Sequence, residues 1–174
     1  MTSEGHKQQQ LIQLCQTLVR KPSPSGQERQ IALLIREIML SLDFDAAETD
    51  EMGNVIGHIR FPHPGKRLLF EAQMDHVPSG NPEAWKYFPH EAYLEGNRLY
   101  GRGTTDQKGS LAAMILAGAT LKEHEEEFHG ELLVAATVQQ ETFEGVASQF
   151  VARKCQPDFV VVNEATELEI ERGQ

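Results

Sequence analysis

The stretch YGRGTTDQKG, residues 100–109, is a glycine-rich segment that leads directly into an apolar one. From residue 109 to about residue 126, apolar side chains recur at the spacing of a helix, on a face wide enough for a largely buried helix. Glycine permits the tight backbone that such a turn requires. The pattern therefore predicts a turn that holds one carboxylate, Asp106, at the start of a buried helix.

Four other segments have the pattern of strands, and three more have the pattern of helices. The predicted strands are residues 54–60, 66–74, 131–138 and 159–162, and the predicted helices are residues 7–20, 27–41 and 145–154. Ser25 and Glu28 have the spacing of a capping box, which predicts the start of the helix over 27–41. The alternation of helix and strand predicts an α/β fold with a mixed, largely parallel sheet and helices on both faces.

Composition and charge restrict the classes of partner. The chain has 174 residues, of which 40% are hydrophobic and 24% are charged, and its net charge is −10. These values are typical of a soluble globular domain, and the acidity argues against nucleic acid as a partner. No apolar run has the length of a membrane span, and the polar N-terminus lacks the apolar region of a signal peptide. The two cysteines, Cys15 and Cys155, fit free thiols in a reducing compartment, so we expect a cytoplasmic protein without a membrane partner.

Carboxylates stand where three of the predicted strands end. Asp75, Glu141 and Glu164 each follow a strand, and Asp106 follows the glycine turn. In open α/β sheets, ligands bind outside the carboxyl ends of the strands. Carboxylates that are brought together raise one another's pKa, and a divalent metal is the simplest reason to gather them. The alternative is that these residues are only a helix cap and surface side chains.

Four short segments, taken together and in this order, resemble the motifs of one enzyme family. They are QMDHVP at 73–78, GRGTTDQKG at 101–109, QE at 140–141 and EAT at 164–166. The chain resembles the M20 family of metallopeptidases and deacylases, whose segments are H-x-D-x-V-P, G-R-G-x-x-D-x-K-G, a pair of glutamates and an E-P-T-like segment. Within that family the resemblance is to acetylornithine deacetylase and succinyl-diaminopimelate desuccinylase, and to the branch of hydrolases linked to selenium metabolism.

The resemblance implies a site for two divalent metal ions, with Zn²⁺ as the first choice and Co²⁺ or Mn²⁺ as alternatives. Asp106 would bridge the two ions, Glu141 would bind one of them and Glu164 the other. Position 73 would supply a further ligand, and it is Gln73 here where the family has a histidine.

The resemblance also implies catalytic roles and a reaction. Asp75 would orient the ligand at position 73, and position 140, which is Gln140 here, would be the general base that takes a proton from the attacking water. Lys108 and Arg102 are expected to be structural residues of the turn. The implied reaction is the hydrolysis of an amide bond in an N-acyl amino acid or a short peptide.

The family's catalytic domain is interrupted by a smaller lid and dimerisation domain. The resemblance therefore implies that residues 1–174 are the N-terminal portion of the catalytic domain. The lid, the second catalytic half and the last histidine ligand would lie beyond residue 174. Residues 167–174 begin a strand-like alternation, which is expected of a sheet that continues. A full-length relative is expected to be a homodimer.

Two glutamines depart from the family pattern. Gln73 offers a neutral amide oxygen, which binds zinc more weakly than imidazole does. Gln140 does not accept a proton at neutral pH, and general base catalysis typically contributes on the order of 10²–10⁴-fold. The two changes are those expected of an inactivated variant, whether natural or introduced.

Three alternatives follow from these departures. His76 could replace the missing histidine, although its odd separation from position 73 places it on the opposite face of a continued strand. Glu144 could supply the base in a branch that uses glutamines. The chain could also be a homologue that binds a ligand or a metal and does not catalyse hydrolysis.

Overall fold

The structure is a computed structural model, and it describes residues 3–165. Seven strands are present in this range: β1 (Ala46–Thr49), β2 (Val55–Arg60), β3 (His63–Gln73), β4 (Tyr93–Glu95), β5 (Arg98–Tyr100), β6 (His129–Thr137) and β7 (Phe159–Val162). Five of them form one sheet in the order β1-β2-β6-β3-β7, and β4 and β5 form a separate hairpin. Strand β3 pairs in parallel with β6 and β7, whereas β1, β2 and β6 pair antiparallel. The predicted mixed sheet is therefore confirmed.

Four α-helices of the described range cover the sheet: α1 (Ser3–Val19), α2 (Arg29–Ser41), α3 (Gly109–Glu123) and α4 (Val146–Cys155). Side chains alternate across the central strand β6, because successive residues of a strand point to opposite faces. Leu132 and Val134 pack into the larger core with α1, α2 and α3. Leu133 packs with Val151 and Cys155 of α4 in a smaller core on the other face. The prediction of helices on both faces is confirmed.

The start of α2 differs from the prediction. The helix begins at Arg29 after Glu28, and no side chain caps it, so the predicted capping box was wrong. The Ser25 hydroxyl instead donates to a carboxylate oxygen of Asp75 over 2.7 Å. Glu28 accepts hydrogen bonds from the backbone N–H groups of Gly26 and Gln139. The polar side chains of this loop therefore hold the strand ends together.

Some strands differ from the prediction in their presence or in their bounds. Strand β1, with the sequence AAET, lacks an apolar alternation and was not predicted. Strand β3 begins at His63, three residues before the predicted start, and its register shifts between His63 and Arg67. Strand β7 has the predicted bounds, and its four side chains are exposed among the described residues. The predicted alternation over 167–174 lies outside the described residues.

No helix within residues 3–165 is long and apolar enough to cross a membrane. Both cysteines in this range are buried and free, as expected. Burial raises the pKa of the Cys15 thiol to about 11, so the thiol stays protonated near neutral pH.

Candidate active site

The glycine turn is held by its own backbone. Gly103 has a φ of +78°, a left-handed conformation that favours glycine. Its carbonyl accepts a hydrogen bond from the Lys108 N–H over 2.8 Å, which closes the loop around Asp106. A Cβ atom at Gly109 would lie 2.7 Å from the carbonyl oxygen of Thr104. Two of the glycines are therefore required by conformation and by space.

Lys108 anchors the turn to the core. Its side chain is fully buried, and its Nζ atom donates to the carbonyl oxygen of Lys21 over 2.8 Å. Burial lowers the pKa of Lys108 to about 7, and the charges of Cys15 and Asp75 act in the opposite direction. Lys108 does not line the cleft described below.

An open cleft of about 240 Å³ lies over the turn. Its wall includes the turn from Gly101 to Asp106, together with His76, Val77 and Glu141. The cleft therefore brings together the segments that the sequence predicted to converge: the end of β3, the glycine turn and the end of β6.

The pKa values of Asp106, Glu141 and Glu164 are all raised near this cleft, by burial and by neighbouring carboxylate charges. Burial raises the pKa of Asp106, and the charge of Asp75 raises it further. Burial also raises the pKa of Glu141, with the charges of Asp106 and Asp75 as further causes. The pKa of Glu164 is raised by burial and by the charges of Asp106 and Glu144, although a hydrogen bond from Gln107 opposes this. The structure thus places the four carboxylates singled out in the sequence in one electrostatic neighbourhood.

Asp75 organises the backbone behind the cleft. It is fully buried, and its carboxylate accepts hydrogen bonds from the Ser25 hydroxyl and from the backbone N–H groups of Gln140 and Glu141. The two backbone contacts measure 3.2 Å each. Within residues 3–165, no hydrogen bond joins Asp75 to Gln73. Asp75 therefore positions residues 140 and 141 directly.

Gln73 is turned towards a carboxylate. The side chain is largely buried, and Nε2 donates to Oε1 of Glu141 over 3.0 Å. The backbone N–H of Gln73 also donates to the side-chain oxygen of Gln107. Gln73, which stands where the family has a histidine, is thus hydrogen-bonded to Glu141, one of the expected metal ligands.

Gln140 is built into the loop between β6 and α4. Its Nε2 atom donates to the Ser148 hydroxyl over 2.6 Å and to the Thr137 hydroxyl over 3.2 Å. Its Oε1 atom accepts a hydrogen bond from the Gly145 N–H over 2.8 Å. Thr137 in turn donates to the carboxylate of Glu71 over 2.5 Å. Both ends of the amide therefore have structural partners.

Glu71 was not identified from the sequence. Its side chain is buried, and burial raises its pKa, with hydrogen bonds from Thr137 and Ser148 acting in the opposite direction. The polar residues at positions 71 and 73 follow the apolar run 68–70 and share one face of the strand, because side chains two apart point the same way. This spacing in the sequence could have predicted that Glu71 lies on the same side of the strand as Gln73.

His76 does not replace the missing histidine. The ring is buried; Nε2 accepts a hydrogen bond from the Ser23 N–H over 3.0 Å, and Nδ1 donates to the Val77 carbonyl over 2.7 Å. Burial lowers the pKa of His76, which keeps the ring neutral. Because both nitrogens have backbone partners, His76 as an alternative ligand was wrong. Glu144, the alternative base, has an exposed side chain.

The side chains present fit a metal ion only in part. Carboxylates that raise one another's pKa are what a divalent cation would relieve. However, no three His, Cys, Asp or Glu side chains of residues 3–165 come close enough together to hold one ion. The nitrogen ligand of the family pattern is also lacking at Gln73, which is hydrogen-bonded to Glu141.

Comparison with known proteins agrees with the motifs. The sequence profile of Peptidase family M20/M25/M40 matches residues 69–173, more than half of the chain. The chain belongs to this M20 family. The resemblance seen in the motifs is therefore confirmed at the level of the family.

One curated relative of this M20 chain is the "Uncharacterized protein YgeY" of Escherichia coli strain K12, which is 35% identical over 169 residues. The match covers 96% of the chain and 41% of YgeY, so the chain spans less than half the length of this relative.

Solved structures show the fold of the M20 chain. A metallo-carboxypeptidase of the family, Sso-CP2 from Sulfolobus solfataricus, matches with a TM-score of 0.73 and 23% identity over 93% of this chain and 37% of its own. The YXEP protein of Bacillus subtilis, a dinuclear metal binding peptidase, matches with a TM-score of 0.64 and 16% identity over 91% of this chain and 42% of its own. At these identities the likeness is one of fold alone.

Proposed function

We propose that the chain forms the first part of the catalytic domain of an M20-type amide hydrolase whose turnover is impaired. The observation that carries this proposal is the cleft in which Asp106 and Glu141 lie beside the glycine turn, with Asp75 buried behind them. Family membership supplies the reaction class. Its substrates would be N-acyl amino acids or short peptides, as in the deacetylase and desuccinylase branches or in the branch linked to selenium metabolism.

The proposed cofactors are two divalent metal ions, Zn²⁺ first and Co²⁺ or Mn²⁺ as alternatives. Asp106, Glu141 and Glu164 would hold them, and this role is supported by their raised pKa values, to which burial and neighbouring carboxylate charges contribute. When bound, such ions polarise a substrate carbonyl and lower the pKa of a bound water. The carboxylates' own part is to present oxygen ligands on one side of the cleft.

Gln140 is the main reason to propose impaired turnover. Its amide has no basic atom at neutral pH, and its Nε2 and Oε1 atoms are held by Ser148 and Gly145. The water that attacks the amide would therefore lose its proton acceptor at this position. Gln73 adds to the impairment, since its side chain donates to Glu141 and offers no imidazole.

The remaining proposals concern the whole protein. By analogy with the family, a lid and dimerisation domain and a second catalytic half would complete the site, and the protein would be a cytoplasmic homodimer. Sequencing the gene beyond codon 174 tests the first of these statements. A continuation without a distal histidine would contradict it.

The direct test restores both family residues, Gln73→His and Gln140→Glu, in the complete gene product. Zinc-dependent release of an amino acid from N-acyl amino acids or dipeptides is the expected result. The single variants are the matched controls, and we expect each to be far less active than the double variant. If the double variant hydrolyses none of these substrates, the proposal is wrong.

A second candidate function is that of a binding protein without turnover. The three hydrogen bonds of the Gln140 amide favour it, because they give this glutamine a structural use. In this case the native protein binds a ligand of the cleft and shows no hydrolysis that depends on metal. Hydrolysis by the native protein that EDTA abolishes would exclude it.

A further inference from the structure

Glu71 is a buried carboxylate at the end of a chain of hydrogen bonds that begins at Gln140. The residue is 4% exposed, and it accepts a hydrogen bond from the Thr137 hydroxyl over 2.5 Å. Thr137 in turn accepts from the Nε2 atom of Gln140 over 3.2 Å. The same Nε2 atom donates to the Ser148 hydroxyl over 2.6 Å, and Ser148 also donates to the Glu71 carboxyl group. Two hydroxyls thus connect the carboxylate to the amide.

The direction of these hydrogen bonds is fixed at both ends. The backbone N–H of Gly145 can only donate, and it donates to the Oε1 atom of Gln140 over 2.8 Å. The Nε2 atom, with its two protons, therefore faces the hydroxyls of Thr137 and Ser148. Because both hydroxyl oxygens accept from the amide, both hydroxyl protons go to the carboxylate of Glu71, which can only accept.

Three elements of the fold hold this chain of hydrogen bonds in place. Glu71 lies in β3, Thr137 is the last residue of β6, and Ser148 lies in α4. Gln140 bonds to the second and third of these elements and does not line the cleft. The side chain at position 140 is therefore held between β6 and α4 rather than in the wall of the cleft.

A glutamate at position 140 would compete with Glu71 for the same donors. It would bring an acceptor in place of the Nε2 donor, and the hydroxyls of Thr137 and Ser148 have one proton each. A buried carboxylate without donors costs free energy, and two close carboxylates disfavour each other's charge. Between β6 and α4, an amide therefore fits opposite Glu71 and a second carboxylate does not.

We propose that Glu71 is a positioning residue for position 140, which retains an amide between β6 and α4 and leaves a carboxylate to the cleft. The inference rests on the proposed function, because it takes position 140 as that of the general base. Gln140 then differs from a glutamate in two ways: it has no basic atom, and Glu71 holds it away from the cleft through Thr137 and Ser148.

A double-mutant cycle in the complete gene product tests this pairing without any need for activity. The unfolding temperature is measured for the native protein, for Gln140→Glu, for Glu71→Gln and for the exchanged pair that carries both substitutions. We expect Gln140→Glu to lower the unfolding temperature by at least about 3 °C. Adding Glu71→Gln should recover about half of this loss or more, because the amide and the carboxylate have exchanged places and every hydroxyl bond can form again in the reverse direction.

The matched control exchanges a carboxylate and an amide that do not touch. Glu37→Gln with Gln149→Glu changes two exposed residues on separate helices, and their effects should be additive. If Glu71→Gln changes the unfolding temperature equally in the native protein and in Gln140→Glu, the proposal is overturned.

Thr137→Val separates hydrogen bonding from charge repulsion. Valine keeps the shape of threonine and removes the hydroxyl, so the coupling between positions 71 and 140 should fall to less than about half of its value. An undiminished coupling would mean that two carboxylates merely repel each other, which contradicts the role given to the hydroxyls. If Thr137→Val does not fold, Ser148→Ala supplies the same comparison.

Turnover gives the readout that a purely structural residue would not produce. Gln73→His with Gln140→Glu is compared with the same protein carrying Glu71→Gln as well, on N-acyl amino acids with Zn²⁺. The added substitution should raise the unfolding temperature and yet lower kcat at least about fivefold with little change in KM, because it draws the base away from the cleft. An unchanged or higher kcat would contradict the proposal. If neither protein is active, the proposed function fails, and the unfolding temperatures still decide whether Glu71 and position 140 are paired.

Discussion

The Nε2 atom of Gln73 donates a hydrogen bond to Oε1 of Glu141 over 3.0 Å, which joins the end of β3 to the turn after β6. In the family pattern, these two positions hold metal ligands. Here the uncharged amide of Gln73 donates to the carboxylate that the family pattern assigns to a metal. The glutamine at position 73, where the family has a histidine, therefore changes the hydrogen bonding of Glu141.

Replacing Gln73 by histidine should strengthen metal binding by the chain. The hydrogen bond to Glu141 is removed and an imidazole ligand is supplied, so we expect affinity for Zn²⁺ to rise by at least on the order of tenfold. Isothermal titration calorimetry measures the change. Gln139→His, in the loop after β6 that also carries Glu141, is the matched control and should leave the affinity nearly unchanged. An equal gain in both variants would show that any added histidine accounts for it.

Replacing Gln140 by alanine should destabilise the fold. The substitution removes the side-chain bonds to Thr137, Ser148 and Gly145, which hold the loop before α4. Because the loop is partly buried, we expect the free energy of unfolding to fall by about 1–3 kcal/mol. Urea denaturation gives this value.

The control for that measurement is Gln149→Ala, an exposed position on α4. It should change the free energy of unfolding by less than about 0.5 kcal/mol. If the two variants are equally stable, the amide of Gln140 has no structural use, and the argument for a binding protein without turnover loses its support.

How much of this site the sequence predicts depends on the range of the interactions. The glycine turn around Asp106 and the strands that end before Asp75 and Glu141 follow from local spacing, and the structure has them. The roles of Ser25 and His76 do not follow, because each is decided by a partner about fifty residues away along the chain. Local patterns predicted Ser25 as a helix cap and kept His76 as an alternative metal ligand. In the structure, Ser25 donates to Asp75 and His76 accepts from the Ser23 N–H, so both residues support the ends of strands.

The same limit applies to charge. The sequence predicts that carboxylates gather, but the burial that raises the pKa of Glu141 depends on the completed fold. Likewise, the stacking of Arg102 on Trp85 depends on a residue from a separate segment of the chain. Neither arrangement has a local signature in the sequence.

Lys108 should make stability depend on pH. Its pKa in the folded chain is lowered to about 7 from its ordinary value of 10.5, so the unfolded chain binds more protons at this group above pH 7. The free energy of unfolding should therefore rise with pH above about 7, at up to roughly 1.4 kcal/mol per pH unit from this group. The effect of Lys108 can be measured separately only up to about pH 9. Above that pH, Cys15, whose pKa rises from 9.0 to about 11 on folding, lowers the free energy of unfolding as the pH rises.

Comparison with Lys108→Met isolates this contribution. Methionine is also unbranched, is one atom shorter than lysine and has no titratable group, so the variant should show a flatter rise between pH 7 and pH 9, a range set by the two pKa values above. Chemical denaturation at several pH values supplies both slopes. Parallel curves for the native chain and the variant would mean that Lys108 stays charged in the folded protein.

The four exposed apolar side chains of β7 should cause the chain to associate. Phe159, Val160, Val161 and Val162 are between 47% and 62% exposed, and β7 is the last strand of the sheet within residues 3–165. An apolar strand at a sheet edge offers both backbone donors and side chains to another copy. Val161→Lys introduces a charge on this strand and should shift the chain towards the monomer in sedimentation or size-exclusion experiments. Leu33→Lys, at a similarly exposed apolar position on α2, is the control and should leave association unchanged. A native chain that stays a compact monomer at high concentration would contradict this prediction, since it would show that the edge is already protected.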